Sequence, residues 1–462
     1  MRRALLVLVL VVLAGCQVPG HGSPAGEPET DQLGWENGYW YDDEISVTPE
    51  NGFNQSELNA TVARSMARVE KVRGLEFEQS VPVEVINRSA YRDQTGGNES
   101  DALQRFDNAK FEAMFLVGEE TGSIEEQDEN RGSTVAGYYS PSEDAIVIVS
   151  ESERPTLSSE RTLAHELVHA LQDQHFDLGN SSARTRDAYQ GRNGLVEGDA
   201  SFTERRYTGN CGAAWSCISA NTTSGGGGGG GDIHLGIYIL QYFPYSEGPT
   251  FVESLHDRGG WDAVNDAYAD LPDGATEVIE ADRYPEWEPT NVSVGTVDAD
   301  WERIEPPGRV NYGVLGQSAI TAGLGYTLYD EYNEQAVVQP QEFLNVRPNG
   351  TVDFRHPFNY GIEPADGWAG DRFVAYQPAD GDSDQELAYV WRSTWESEGD
   401  ASEFANAWRR LITHWGGQQV AADTYRIPDG EYADAFRITV EGTTVTVVNA
   451  PEWSDLDVFS DV

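Results

Sequence analysis

The stretch RTLAHELVHALQDQHFDL, residues 161–178, sets two histidines four residues apart with a glutamate directly after the first. On an α-helix, positions i and i+4 lie one turn apart on one face, so His165 and His169 can present both imidazoles to one metal ion. Glu166 then lies beside that ion, placed to hold and deprotonate a bound water. Leu163, Leu167, Ala170 and Leu171 form the apolar stripe that half-buries such a helix. A structural helix with two satisfied histidines is the competing reading. A catalytic zinc ion also needs a third protein ligand and one open position. His175 sits about 240° round the helix from His169 and should not face the same ion. Glu197, in LVEGDA at 195–200, is the better candidate, because a carboxylate from a second, crossing helix completes a set of two histidines and one glutamate.

Around this pair the periodicities predict an α+β chain. Leu58, Val62, Met66 and Val69 recur at helical spacing over 57–73, and SDALQRFDNAKFEAMFLV predicts a helix over 100–117. VPVEVIN at 81–87 alternates as a strand. GYYSPSEDAIVIVS predicts a hairpin turning at SPSED, followed by a break at 155–159 where Ser158 or Ser159 is available as helix N-cap. AIVIVS is either an edge strand open to an extended peptide or an interior core strand. A helix from about 186 to 206 carries Glu197. The run SGGGGGGGD at 224–232 is a linker or loop, with no lysine or following Ser/Thr of a phosphate loop. Helical character resumes over 233–284 with a break at Gly259–Trp261, and TAGLGYTLY at 321–329 closes this region. From about 342, strands surround one clear helix at 402–415, and a terminal hairpin turns at Glu441–Gly442.

LAHELVHALQDQHFDL, Asp187 and LVEGDA together resemble the gluzincin type of zincin-fold metallopeptidase. They are more similar still to secreted or surface zincin-like proteins, haloarchaeal lipid-anchored ones among them, that share HELVHALQDQHF and a downstream VEGDA. PYSEGPTFVESLHDRGGWDAVNDAY, TEVIEADRYPEWEP, GWAGDRF and DASEFANAW extend the resemblance over most of the chain. It implies zinc held by His165, His169 and Glu197, with Glu166 as general base in peptide hydrolysis. Where some gluzincins carry an aspartate four residues after the ligand glutamate, this chain has Ser201. Asp173, Asp187 and Asp199 are the candidates to orient a ligand histidine instead, and spacing does not choose among them. His234, His256, Tyr238, Tyr312 and Tyr326 are candidate oxyanion donors that no motif separates. The implied fold is a zincin-like domain, a small mixed sheet with active-site helices, over 35–300. A helical segment and a C-terminal α+β region occupy 301–462. A surface binding or envelope-structural protein on the same scaffold is the alternative function.

The 462 residues carry 78 acidic and 30 basic side chains, a formal charge of -48, and Lys71 and Lys110 are the only lysines. Carboxylates spread through a chain this rich in Trp and Tyr suit the surface of a halophile's protein, and they disfavour nucleic acid as partner. MRRALLVLVLVVLAGC predicts a signal peptide over 1–15 and a lipidated Cys16, with a flexible tether over 16–34; a plain secretory signal competes. The protein is thus expected at the outer face of the cytoplasmic membrane, held by lipid alone. Cys211 and Cys217 then pair as a disulfide or remain buried thiols. Sequons at Asn54, Asn59, Asn87, Asn98, Asn180, Asn221, Asn291 and Asn349 mark candidate glycosylated loops. No D-x-D-x-D-G calcium loop is present.

Overall fold

The computed structural model describes residues 28, 30–47, 52–95, 99–152, 154–155, 159–180, 182–218, 233–297, 300–330, 332, 334–379 and 387–459. The signal segment, Cys16, Ser158, Asn98, Asn221 and the glycine run 224–232 lie outside the described residues. A short ribbon of β1 (Trp35–Glu36) and β2 (Tyr39–Trp40) packs on α1 (Gln55–Arg73). The four apolar residues read at helical spacing in α1 are all buried. A capping box of Asn54 and Glu57 opens this helix, and Gly74, at φ 75°, closes it in the left-handed conformation.

Next come β3 (Val83–Ile86), α2 (Arg88–Thr95), α3 (Asp101–Ala113) and α4 (Ser123–Thr134). Helix α3 stops short of the expected 117, because Phe115 takes φ 54° and turns the chain into the core. The hairpin β4 (Gly137–Ser140) and β5 (Ala145–Val149) forms as read. Strand β3 pairs with β5 in parallel, so the small sheet is mixed, with order β3-β5-β4. AIVIVS is thus the interior strand, and β4 is the edge.

The long helices follow: α5 (Glu160–Phe176), α6 (Arg186–Asn210), α7 (Leu235–Ser246), α8 (Gly248–Asp266) and α9 (Ala275–Ile279). Ser159 is the N-cap of α5, although its side chain makes no capping bond. The break read at Gly259–Trp261 is a kink, with Gly259 and Gly260 non-helical inside α8.

The remainder comprises β6 (Trp301–Arg303), α10 (Gly316–Tyr326), α11 (Pro340–Phe343), β7 (Trp368–Pro378), β8 (Ala388–Trp395), α12 (Glu398–His414), β9 (Gln418–Ala421), β10 (Thr424–Arg426), β11 (Ala435–Glu441) and β12 (Thr444–Ala450). Its strands form one antiparallel sheet, ordered β6-β7-β8-β12-β11-β10-β9. Helix α12 begins four residues before the expected 402, because the Ser397 side chain caps it by accepting from Asp400 N–H.

The class is mixed α+β, as the periodicities predict. One apolar core runs across residue 300: Phe106 meets Phe373, and Phe115 meets Trp408, Tyr432 and Phe436. A second core joins α1, α5 and the small sheet, with Trp215 at its rim beside the Cys211–Cys217 disulfide. The described sequon asparagines (Asn54, Asn59, Asn87, Asn180, Asn291 and Asn349) are exposed. Among the described residues, no helix is long and apolar enough to cross a membrane.

Candidate metal centre

Helix α6 crosses α5 and packs closely on α8 through glycine. A Cβ on Gly198 would lie 2.4 Å from the Gly248 carbonyl oxygen, so only glycine permits this approach. With Gly198 committed to α8, Glu197, about 100° round the helix, is turned towards α5. There the Nε2 atoms of His165 and His169 stand 3.2 Å apart. Glu197 Oε2 lies 3.2 Å from the first and 3.3 Å from the second. The three residues named in the sequence reading therefore meet at one point.

The partners of the far ring nitrogens define what those near atoms offer. Gln172 Nε2 donates to Val196 O at 2.9 Å and to Asp199 Oδ2 at 3.2 Å, which turns its Oε1 towards His169 Nδ1, 2.9 Å away. His165 Nδ1 faces Glu204 Oε2 at 3.5 Å, and Glu204 is held in turn by Arg161. Both Nδ1 atoms thus face acceptors and carry the protons, leaving two bare Nε2 lone pairs and a carboxylate aimed at one another. Such an arrangement repels itself unless a cation lies between the donors. Tetrahedral donors bound at about 2.0–2.1 Å stand roughly 3.3–3.4 Å apart, so the set fits zinc with little movement.

The electrostatics agree with that reading. Burial alone would depress the His165 imidazole, but hydrogen bonds with Glu197 and Glu204 and the charge of Glu166 override it and push it up to about 10. Burial is likewise outweighed at His169, chiefly by Glu197, and its pKa is raised. Burial works to raise Glu197, yet the two histidines hold it well below the usual carboxylate range. The field at this point favours positive charge, whether as protons or as a metal ion. Glu166 is pushed up by burial against the opposing charges of both histidines, and its Oε2 accepts from Tyr139 N–H at 3.0 Å.

The three aspartates separate. Asp199 is fully buried and lies behind Gln172, fixed by Arg73 at 2.9 Å and Tyr268 Oη at 2.9 Å, so it orients His169 through the amide. Asp173 accepts from Tyr139 Oη at 2.8 Å and Leu178 N at 2.7 Å, bracing the edge strand that holds Glu166. Asp187 is not at the centre: it is buried against Gly274 and Gly316 and accepts from Ala275 N at 3.0 Å. His175 also points away, onto Glu76 O at 2.8 Å.

Among the candidate oxyanion donors, His234 caps α7, His256 packs on Phe202 and Trp261, and Tyr326 lies tilted against His234. Tyr238 and Tyr312 line a cleft of about 620 Å³ that opens from Glu197. The tyrosine at the centre itself is Tyr245, which no motif indicates. Its ring stacks on His165 with centroids 6.3 Å apart and also lines the cleft. Desolvation and the charges of Glu197 and Glu166 push its phenol well above the usual range, so it stays a hydroxyl donor. Glu204 and Gln172 also escape the sequence reading. Glu204 has a signal, two helical turns after Glu197 on the same face, and Gln172 sits one turn after His169.

Among the described residues, a second acidic group, Glu112 with Glu119 and Asp434, lies where the end of α3 meets the C-terminal sheet. Residues 302–460, which contain almost all of that sheet, match a family model described as a domain of unknown function (DUF8575). No curated protein and no solved structure matches the chain.

Proposed function

We propose that the chain is a zinc-dependent metallopeptidase on a zincin-like scaffold of gluzincin type, exported and held at the cell surface by lipid on Cys16. The observation that carries this reading is the triangle of His165 Nε2, His169 Nε2 and Glu197 Oε2, with Glu166 adjacent in sequence and braced on an edge strand. These three residues would hold the ion. When bound, zinc supplies Lewis acidity that brings a water's pKa towards neutrality and polarises an amide carbonyl.

The other roles belong to the chain. Glu166, raised by burial, suits a carboxylate that takes a proton at one oxygen and returns it to the leaving amine nitrogen. Tyr139 N–H fixes its other oxygen. Backbone groups alternate in direction along an edge strand, so Gly137 presents its N–H and C=O on the same free side as Tyr139, where an extended peptide can pair. Tyr245 offers a hydroxyl beside Glu197 to the developing oxyanion.

Zinc-loaded protein incubated with a mixed peptide library, read by mass spectrometry, tests the proposal. Glu166→Gln should retain zinc and lose at least about a thousandfold in cleavage rate. Hydrolysis that survives unchanged in this variant would refute Glu166 as the base, and a zinc-loaded wild type that cleaves no peptide would refute a peptidase and leave the binding scaffold.

A further inference from the structure

The cleft that opens from Glu197 reverses the charge of the molecule. The whole chain has 78 acidic residues against 30 basic. The cleft is lined by five basic residues (Lys110, Arg131, Arg184, Arg186 and Arg309) against three acidic, Glu99, Asp107 and Glu197. Away from the metal centre, Asp107 pairs with Lys110, one of only two lysines in the protein. That carboxylate is shared: Arg186 acts on Asp107 as well, and both Arg186 and Arg309 lie close enough to Lys110 to oppose its charge. Arg131 is paired with Asp128, and among the described residues Arg186 bonds the neutral Gln127 and faces the Phe111 and Tyr189 rings. Arg184 and Arg309 are exposed and have no ion pair or side-chain hydrogen bond among the described residues.

Arg186 and Arg309 both oppose the charge of Lys110, which has one carboxylate beside it, and an excess of positive charge in a cleft calls for an anion. A cationic or neutral substrate needs no such reversal, since the surrounding carboxylates would already attract or tolerate it. An acidic substrate needs it, because a field of -48 would otherwise repel it. Guanidinium is well matched to such a ligand, because it binds carboxylate bidentately. Contact pairs of this kind survive salt that screens long-range attraction to about 3 Å at 1 M.

The geometry also sets a distance. Arg186 opens α6 and Glu197 lies eleven residues later on it, about 16 Å at 1.5 Å per residue. An extended peptide covers that span in about five residues. We infer that the far end of the cleft is a carboxylate-recognition subsite for an acidic peptide segment, placed about five residues from the bond at the metal centre. The subsite rests on the peptidase reading for its orientation, but its ligand chemistry is readable without catalysis.

The test uses full-length Glu166→Gln protein with zinc and two neutral-dye-labelled, C-terminally amidated octapeptides that differ in three Glu-for-Gln replacements at one end. Fluorescence anisotropy should show the glutamate peptide bound at least tenfold more tightly. In protein that also carries Arg184→Gln and Arg309→Gln the ratio should fall below threefold; both side chains are exposed, so the fold should tolerate the change. A third, neutral peptide with a free C-terminus tells whether a chain-terminal carboxylate is an equal ligand. Equal binding of the two amidated peptides overturns the subsite, as does tighter binding of an oligothymidylate. Cleavage of both peptides by wild type with no glutamate preference overturns it too while leaving the peptidase standing. Glutamate-selective binding without cleavage by wild type supports the subsite and counts against the peptidase.

Discussion

Gln172→Leu should loosen the proposed metal centre without dismantling the helix that carries it. Gln172 is nearly fully buried, and among the described residues its amide links His169 Nδ1 to the Asp199 network. Leucine fills similar volume, so the packing loss is small beside the polar one. Asp199 keeps Arg73, Tyr268 and Thr203, and Val196 O stays within a helix, so the stability cost should be about 1–2 kcal/mol. The larger effect falls on the imidazole. Without an acceptor at Nδ1, nothing fixes the ring's tautomer or rotation, and removing such a partner typically costs about 10–100-fold in metal affinity. That corresponds to about 1.4–2.7 kcal/mol. Zinc competition against a chromophoric chelator reads the affinity, and urea unfolding reads the stability. An affinity within twofold of wild type, in a variant destabilised as expected, would refute the claim that Gln172 positions His169.

Burial and the neighbouring acids push Asp434 up to about 8 and Glu112 well above its usual value. The folded state thus keeps protons that the unfolded chain has released above about pH 4, so this pair should lower stability as pH rises from about 4 to 8. Glu112→Gln should flatten that slope of the urea midpoint; an unchanged slope, or stability restored by calcium and lost to chelator, would show that something other than protons neutralises the group. Reducing the Cys211–Cys217 bridge, with its sequence separation of 6, should cost about 2 kcal/mol, measured by thermal unfolding with and without reductant. Arg73→Met leaves the fully buried Asp199 without its cation and should cost about 3–5 kcal/mol in urea unfolding; a loss under 1 kcal/mol would mean that Tyr268 and Thr203 suffice.

What the sequence could and could not show follows from how local each feature is. His165, His169 and Glu166 are related by one helical turn, so their spacing alone carries the geometry. Glu197 needed a second helix, and LVEGDA was readable because helical pattern and a carboxylate coincide there; the glycine that turns Glu197 inward is part of the same motif. Glu204 was hidden because a glutamate in so acidic a chain is ordinarily solvated. Asp187 misled for the converse reason, since its burial against two distant glycines depends on α9 and α10 and leaves no periodic trace. The apolar run AIVIVS after a turn marks a strand but not its neighbours, so only the sheet order distinguishes the interior β5 from the edge β4. Tyr245 and the five basic side chains of the cleft are brought together from separate elements, which no single window of sequence contains.

The most direct test of the central claim is zinc stoichiometry by inductively coupled plasma mass spectrometry on wild type, His169→Ala and Glu197→Ala, each loaded with zinc and freed of excess. A zinc site built from His165, His169 and Glu197 predicts one ion per wild-type chain and none retained in either variant. Wild type without stoichiometric zinc, or variants that hold it equally well, would contradict it.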